Sequence, residues 1–271
     1  MADARAALNA AAARFAFSET PRLDAELLLA HALGITRERL LLTLGDQPVP
    51  LAFADLVERR AAHEPVAYII GTRAFWTIDL DVAPGVLIPR ADSETLIEAA
   101  VDHFASTAGP RRVLDLGTGS GALLLAALDQ WPDATGVGVD ASPLALEIAS
   151  RNATRIAPGR AVIVAGGWQG TGEAFDLVLC NPPYIETGAA LPSEVSRYEP
   201  STALYAGPNG LDDYRRLAPL LGPQIAPGGV ACIEIGCAQR EAAGALFAAA
   251  GLGVSCRRDL AGRDRCLVIT S

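Results

Sequence analysis

The chain has no lysine: all 22 of its basic residues are arginine. This is a bias of composition, and no function attaches to it. It also lacks an excess of positive charge. Residues 1–90 carry 9 arginines against 11 acids and residues 91–271 carry 13 against 20, so the two parts stand at −2 and −7. A protein that grips a duplex displaces counterions with a basic face, so this balance argues against a nucleic-acid partner and favours a protein one. The five cysteines, Cys180, Cys232, Cys237, Cys256 and Cys266, form no C-x-x-C pair. Neither a disulfide framework nor a zinc site is indicated. His31, His63 and His103 are not spaced as ligands, so no metal is expected. No run of about twenty uninterrupted apolar residues is present, which excludes a spanning helix of the usual kind. Residues 1–17 are rich in alanine, but Asp3 and Asn9 interrupt them, which suits an amphipathic helix better than a transit or secretory segment. The expectation is a soluble, cytoplasmic monomer. At 271 residues, with 51% hydrophobic and 20% charged residues and no repeat, the chain has room for one α/β domain and a smaller one.

What is present concentrates at two places. Residues 175–180, Phe-Asp-Leu-Val-Leu-Cys, read as a strand, and Asn181, Pro182, Pro183 and Tyr184 follow directly. An amide or exocyclic amine nitrogen is a poor nucleophile because its lone pair is delocalised into the adjacent π system. The Asn181 side-chain oxygen can accept one N–H and the Pro182 carbonyl the other, which favours a pyramidal nitrogen whose lone pair faces an electrophile. The two prolines fix the backbone and leave Tyr184 as a flat wall. The same tetrapeptide also suits a plain strand ending in a proline turn.

The second place lies upstream. A strand-like run, 112–116, enters Gly117, Thr118, Gly119, Ser120 and Gly121, and an Ala/Leu-rich helical stretch, 122–130, follows. Glycines let the backbone approach a ligand, and the helix N-terminus offers unpaired N–H groups. The spacing differs from the G-x-G-x-x-G of dinucleotide folds, which argues against NAD. Asp115, before the first glycine, is placed to meet an ammonium and is wrong for a pyrophosphate. A further strand, 135–139, ends in Asp140, at about the separation where a carboxylate takes ribose hydroxyls. A ligand with a cation, an amino-acid end and a ribose is S-adenosylmethionine.

With these motifs in this order, the chain resembles the class I S-adenosylmethionine-dependent methyltransferases and, more narrowly, the HemK/PrmC family. The resemblance extends to an N-terminal helical segment, Pro65-Val66-Ala67-Tyr68-Ile69-Ile70-Gly71, the Phe75-Trp76 pair, Leu87-Ile88-Pro89-Arg90 with Asp92 and Glu94, and Arg197-Tyr198-Glu199-Pro200. It implies methylation of the glutamine in the Gly-Gly-Gln motif of peptide-chain release factors, with the N-terminal helices helping to engage that substrate. It also implies adenine beside Trp168, although Gly166 and Gly167 stand where the family usually has an acid. Ala74, Ala91 and Cys237 depart from the pattern as well. Adenine N6 or guanine N2 presents the same planar-nitrogen problem and forms the alternative reading. A fold retained only for interaction is a third.

The expected architecture is a doubly wound, mainly parallel seven-stranded sheet, with strands through Val113, Val139, Val164, Leu179, Ile233, Val254 and residues 266–270. Residues 1–72 read as a helical domain, 73–90 as a β-hairpin linker and 91–271 as the methyltransferase domain. Residues 75–82 alternate and suggest a hairpin strand bridging the domains, and Leu23, Leu27, Leu28 and His31 mark the inner face of a helix that Gly34 closes. Asp92 or Ser93 is expected to cap a helix, and Asp212 and Asp213 to start another. Arg90 either approaches the cofactor or pairs with an acid. The long stretch 185–229 is expected to shape a peptide-binding surface.

Overall fold

The computed structural model describes residues 3–271, the Asp46 side chain excepted. The chain begins with helices α1 (Ala4–Arg14), α2 (Pro21–Leu33), α3 (Arg37–Leu42), α4 (Ala52–Ala61) and α5 (Val66–Ile70). A hairpin of β1 (Thr72–Phe75) and β2 (Ile78–Asp81) leads to α6 (Glu94–Phe104). Strands and helices then alternate through β3 (Arg112–Leu116), α7 (Ala122–Gln130), β4 (Thr135–Asp140), α8 (Pro143–Ile156), β5 (Ala161–Ala165) and β6 (Phe175–Cys180). After them come α9 (Ser193–Tyr198), α10 (Asp212–Leu221), β7 (Ile225–Glu234), α11 (Arg240–Ala249), β8 (Gly253–Arg258) and β9 (Asp264–Thr270).

These elements form two compact units. The smaller comprises the chain up to Thr72 together with Leu191–Tyr198, and the larger comprises Arg73–Ala190 and Glu199–Ser271. The smaller unit packs around Leu8, Phe15, Leu28, Leu29, Leu40 and Phe53. Gly34, at φ 65°, closes α2 as expected. The inner face of α2 differs from its apolar spacing: Asp24, Ala25, Glu26, Leu28, Leu29 and Ala30 are buried, and His31 is exposed. The cause is electrostatic. Arg60, itself buried, meets Asp24 at 2.8 Å and Glu194 of α9 at 2.7 Å, while Arg22 and Arg37 hold Glu26 at 2.8 and 2.9 Å. Tyr198 adds a hydrogen bond to the Ala62 carbonyl, so α9 is fixed to this unit at both ends.

The larger unit is a seven-stranded sheet in the order β5-β4-β3-β6-β7-β9-β8. The pairs β3/β4, β3/β6, β4/β5 and β6/β7 are parallel, and β9 lies antiparallel to both β7 and β8. Successive residues on the central strands feed opposite layers. Val113, Leu177 and Leu179 pack with α6 and α7, whereas Leu114, Val178 and Cys180 pack with α10 and α11. Strand order reverses between β3 and β6, and in such sheets the crevice at the reversal receives ligands. The glycine loop follows β3 and Asn181 follows β6, so the two motifs lie on either side of that crevice.

The hairpin is present, but its strands are Thr72–Phe75 and Ile78–Asp81, so the alternation over 75–82 spans its turn. It breaks at Trp76, whose φ of 54° turns the chain between β1 and β2, and the Trp76 amide is held by Glu94 at 2.8 Å. The hairpin, expected as a linker, clusters with the larger unit, where Phe75 and Leu80 are buried in its core.

Candidate active site

The loop after β3 is drawn tight by its own residues. Gly117 has φ 71°, the left-handed region that favours glycine, and a Cβ there would lie a tight 3.3 Å from the Trp168 ring. The Gly119 amide donates to Asp140 Oδ2 at 2.8 Å, and the Ser142 amide donates to Oδ1 at 2.8 Å. Gly121, at φ 87°, turns the chain into α7.

Asp115 lies behind this loop. It is 1% exposed; its Oδ2 accepts from Thr118 Oγ1 at 2.6 Å and from the Leu124 amide at 3.2 Å, while its Oδ1 has no hydrogen-bond partner. Burial pushes its carboxyl up to about 7, against the pull of those two donors.

A cavity of about 520 Å³ opens over the loop, within the size range of small-molecule sites. Residues 117–120, Asp140, Gly167, Trp168, Asn181 and Pro183 line it, whereas Asp115, Gly121, Pro182 and Tyr184 are not among its lining residues. Among the described residues, Asp140 is the one charged side chain on its wall. A wall with a carboxylate and no arginine disfavours a pyrophosphate and suits a ligand that carries positive charge. The residues present therefore fit S-adenosylmethionine: a glycine cradle that a Cβ would fill, and an acid at the end of β4. Trp168 is fixed by its indole N–H on Asp213 at 3.2 Å and by Gln224 on its carbonyl at 2.9 Å.

On the other side of the crevice, Asn181 Nδ2 donates to Ser93 Oγ at 3.2 Å, and Ser93 donates to Glu234 Oε2 at 2.5 Å. Tyr184 donates to Glu234 Oε1 at 3.0 Å. Among the described residues nothing donates to Asn181 Oδ1 or to the Pro182 carbonyl. Burial pushes the Glu234 carboxyl up, while the Ser93 and Tyr184 hydrogen bonds and the charge of Arg265 pull it down. Burial, and then Glu234, pushes the Tyr184 phenol up, so it stays a donor.

Several assignments change. Ser93 makes no side-chain cap; its hydroxyl belongs to the Asn181 network. Asp213 does lie in the first turn of α10, but it also anchors Trp168. Arg90 pairs with the buried Glu199, which also accepts from the Ile88 amide. Ser93, Asp213 and Glu234 were missed as site residues. For Glu234 a signal existed: it is an acid within the apolar run Val230-Ala231-Cys232-Ile233-Glu234-Ile235. Among the described residues no group of acids, cysteines and histidines could hold a metal ion.

Comparison with known proteins adds an independent line. A family model described as the PrmC N-terminal domain matches residues 6–71, and one described as the methyltransferase small domain matches residues 92–197. The release factor glutamine methyltransferase of Rhodospirillum rubrum is 42% identical over 258 residues, covering 92% of this chain and 79% of that protein. That of Xylella fastidiosa is 45% identical over 255 residues, covering 91% and 92%. Among solved structures, a methyltransferase from Pyrococcus furiosus matches with a TM-score of 0.53 over 80% of this chain and 97% of that one. At 17% identity that likeness is one of fold.

Proposed function

The chain belongs to the release factor glutamine methyltransferases, and on that premise we propose how its site moves a methyl group to the side-chain amide N5 of the glutamine in a Gly-Gly-Gln motif. The observation that carries the reading is the meeting of the glycine loop and Asn181 on one cavity whose charged wall residue is Asp140. Gly117, Thr118, Gly119, Ser120 and Asp140 hold S-adenosylmethionine, with Trp168 flanking the adenine. When bound, this cofactor supplies an electrophilic methyl on a sulfonium. Asp115 and Gly121 act from behind, by fixing the loop.

Asn181 Oδ1 and the Pro182 carbonyl accept the two N–H groups of the glutamine amide. Among the described residues nothing donates to either acceptor, and holding both hydrogens localises the nitrogen lone pair. Pro183 stiffens the backbone that carries these acceptors, and Tyr184, fixed at its hydroxyl, walls the planar amide. Most of the acceleration comes from positioning and exclusion of water, with the proton lost after the nitrogen has become cationic. The smaller unit engages the release factor. The enzyme acts as a monomer in the cytoplasm and without nucleic acid, in keeping with its acidic balance; among the described residues no helix is long and apolar enough to cross a membrane.

Radiolabelled methyl transfer, offered in parallel to purified release factor, a release factor with the motif glutamine changed to alanine, ribosomal RNA and DNA, tests this reading. Label should enter only the first. The Asn181→Ala enzyme should retain cofactor binding and lose on the order of a hundredfold or more in turnover. Equal label on the glutamine-free factor removes glutamine, and label on RNA or DNA moves the enzyme to planar base nitrogens.

A further inference from the structure

We propose that Ser93 and Glu234 are positioning residues that set which end of the Asn181 amide faces the substrate. This rests on the reading of Asn181 as an amide-binding residue. The two ends of an asparagine amide are nearly equal in size and opposite in chemistry, so an Asn181 turned end for end would offer the glutamine nitrogen donors instead of an acceptor. Something must fix the polarity, and the network does so by counting protons. Glu234 sits at the end of β7 with both carboxylate oxygens taken by hydroxyls, Ser93 at 2.5 Å and Tyr184 at 3.0 Å. A carboxylate only accepts. The Ser93 proton is therefore committed to Glu234, and only lone pairs of Ser93 Oγ remain for Asn181. The Asn181 atom at 3.2 Å from them must be the donor, Nδ2, which leaves Oδ1 for the substrate.

Both oxygens of Glu234 accept from hydroxyls, and these donors together with Arg265 oppose the upward push of burial on its carboxyl. Arg265 supplies positive charge and itself pairs with Asp92 at 2.9 Å and Asp259 at 3.3 Å. The Tyr214 hydroxyl donates to the Glu234 backbone carbonyl at 2.9 Å, which holds the strand end. Glu234 is 1% exposed and Ser93 3%, which strengthens the hydrogen bond between them. Glu234 thus acts on the reaction through a serine and an asparagine.

Glu234→Gln removes the forced direction, because a glutamine amide can donate to Ser93 as well as accept from it. With Asn181 native, kcat on release factor should fall about tenfold, the cost of one misdirected hydrogen bond. The Kd for S-adenosylmethionine should stay unchanged. Ser93→Ala should behave likewise, and Ser93→Thr, which keeps the hydroxyl, should restore most of the rate. The decisive background is Asn181→Asp. There the group facing Ser93 is an acceptor, which the native Glu234 leaves without a donor; adding Glu234→Gln lets Ser93 turn its proton toward it. Glu234→Gln should therefore raise kcat in the Asn181→Asp enzyme although it lowers kcat in the wild type. A role in stability alone predicts a loss in both backgrounds, and that result would overturn the relay, as would full kcat in Ser93→Ala. The wild-type enzyme run alongside separates the two readings: no transfer to glutamine removes the glutamine assignment and this inference together, whereas normal wild-type transfer with losses of one sign removes the relay alone.

Discussion

Glu26 in the smaller unit and Glu234 in the larger are buried almost equally, at 5% and 1% exposed, yet their carboxyls move in opposite directions. At Glu26 burial pushes the group up, but hydrogen bonds and charge from Arg22 and Arg37 outweigh it and leave the carboxyl below its usual range. At Glu234 the direct partners are neutral hydroxyls, and burial wins. Asp24 is likewise paired with an arginine, Arg60; Asp115, held by a hydroxyl and an amide and pushed up by burial, resembles Glu234. The difference follows the partner rather than the unit, since the larger unit also buries Glu199 against Arg90 and Asp259 against Arg265. The arginine-paired Glu26 and Asp24 join helices, while Glu234 and Asp115, whose direct donors are neutral, sit beside the cavity, where proteins commonly place perturbed groups.

The contrast is broken most forcefully by removing a cation. Arg60→Ala leaves the buried Asp24 without its charged partner, and the half-exposed Glu194 without Arg60, and should destabilise the protein by about 3–5 kcal/mol, as read from the denaturant midpoint. A loss below about 1 kcal/mol would put this cluster among exposed pairs of little weight.

Asp115→Asn sharpens the other side. The Asp115 carboxyl in the folded protein, at about 7, lies above its ordinary value of 3.8. Its contribution to stability is thus fully present below about pH 4 and is lost as pH rises through 7. Stability measured from pH 4 to 8 without cofactor should shift in favour of the variant as pH rises, by an amount on the order of a few kcal/mol. A difference independent of pH would mean that this carboxyl is charged throughout.

Gly167→Asp adds a third kind of acid, facing the ligand. If it supplies the acceptor that the adenine amine lacks, calorimetry should show cofactor binding tighter by about 1 kcal/mol. A Cβ at this position would come within 3.1 Å of the Gln169 side chain, whose flexible end can give way. Unchanged or weaker binding would assign adenine recognition to backbone groups.

Which features could be read from the sequence follows from the range of their causes. The glycine loop, Asp140 and Asn181 are local: each follows a strand whose apolar run is visible, and the order of the strands brings them to one crevice. Ser93 was legible only as a helix cap because its partner Glu234 is 141 residues away. Asp213 was legible only as a helix start because Trp168 is 45 residues away. The inner face of α2 was misjudged for the same reason, since Arg60, which draws Asp24 inward, lies 36 residues on. The turn at Trp76 had no local sign, because a left-handed aromatic is rare and glycine or asparagine would be the usual choice.

Glu194 follows Arg60 by 134 residues, although both belong to the smaller unit. At a synthesis rate of about 5–20 residues per second, α1–α5 leave the ribosome on the order of ten seconds before α9 exists to meet them. During that interval Arg60 has Asp24 but lacks its second acid. A fragment cut after residue 72 would remain in that state permanently. Although the smaller unit emerges first, it is completed only after six of the nine strands have been made.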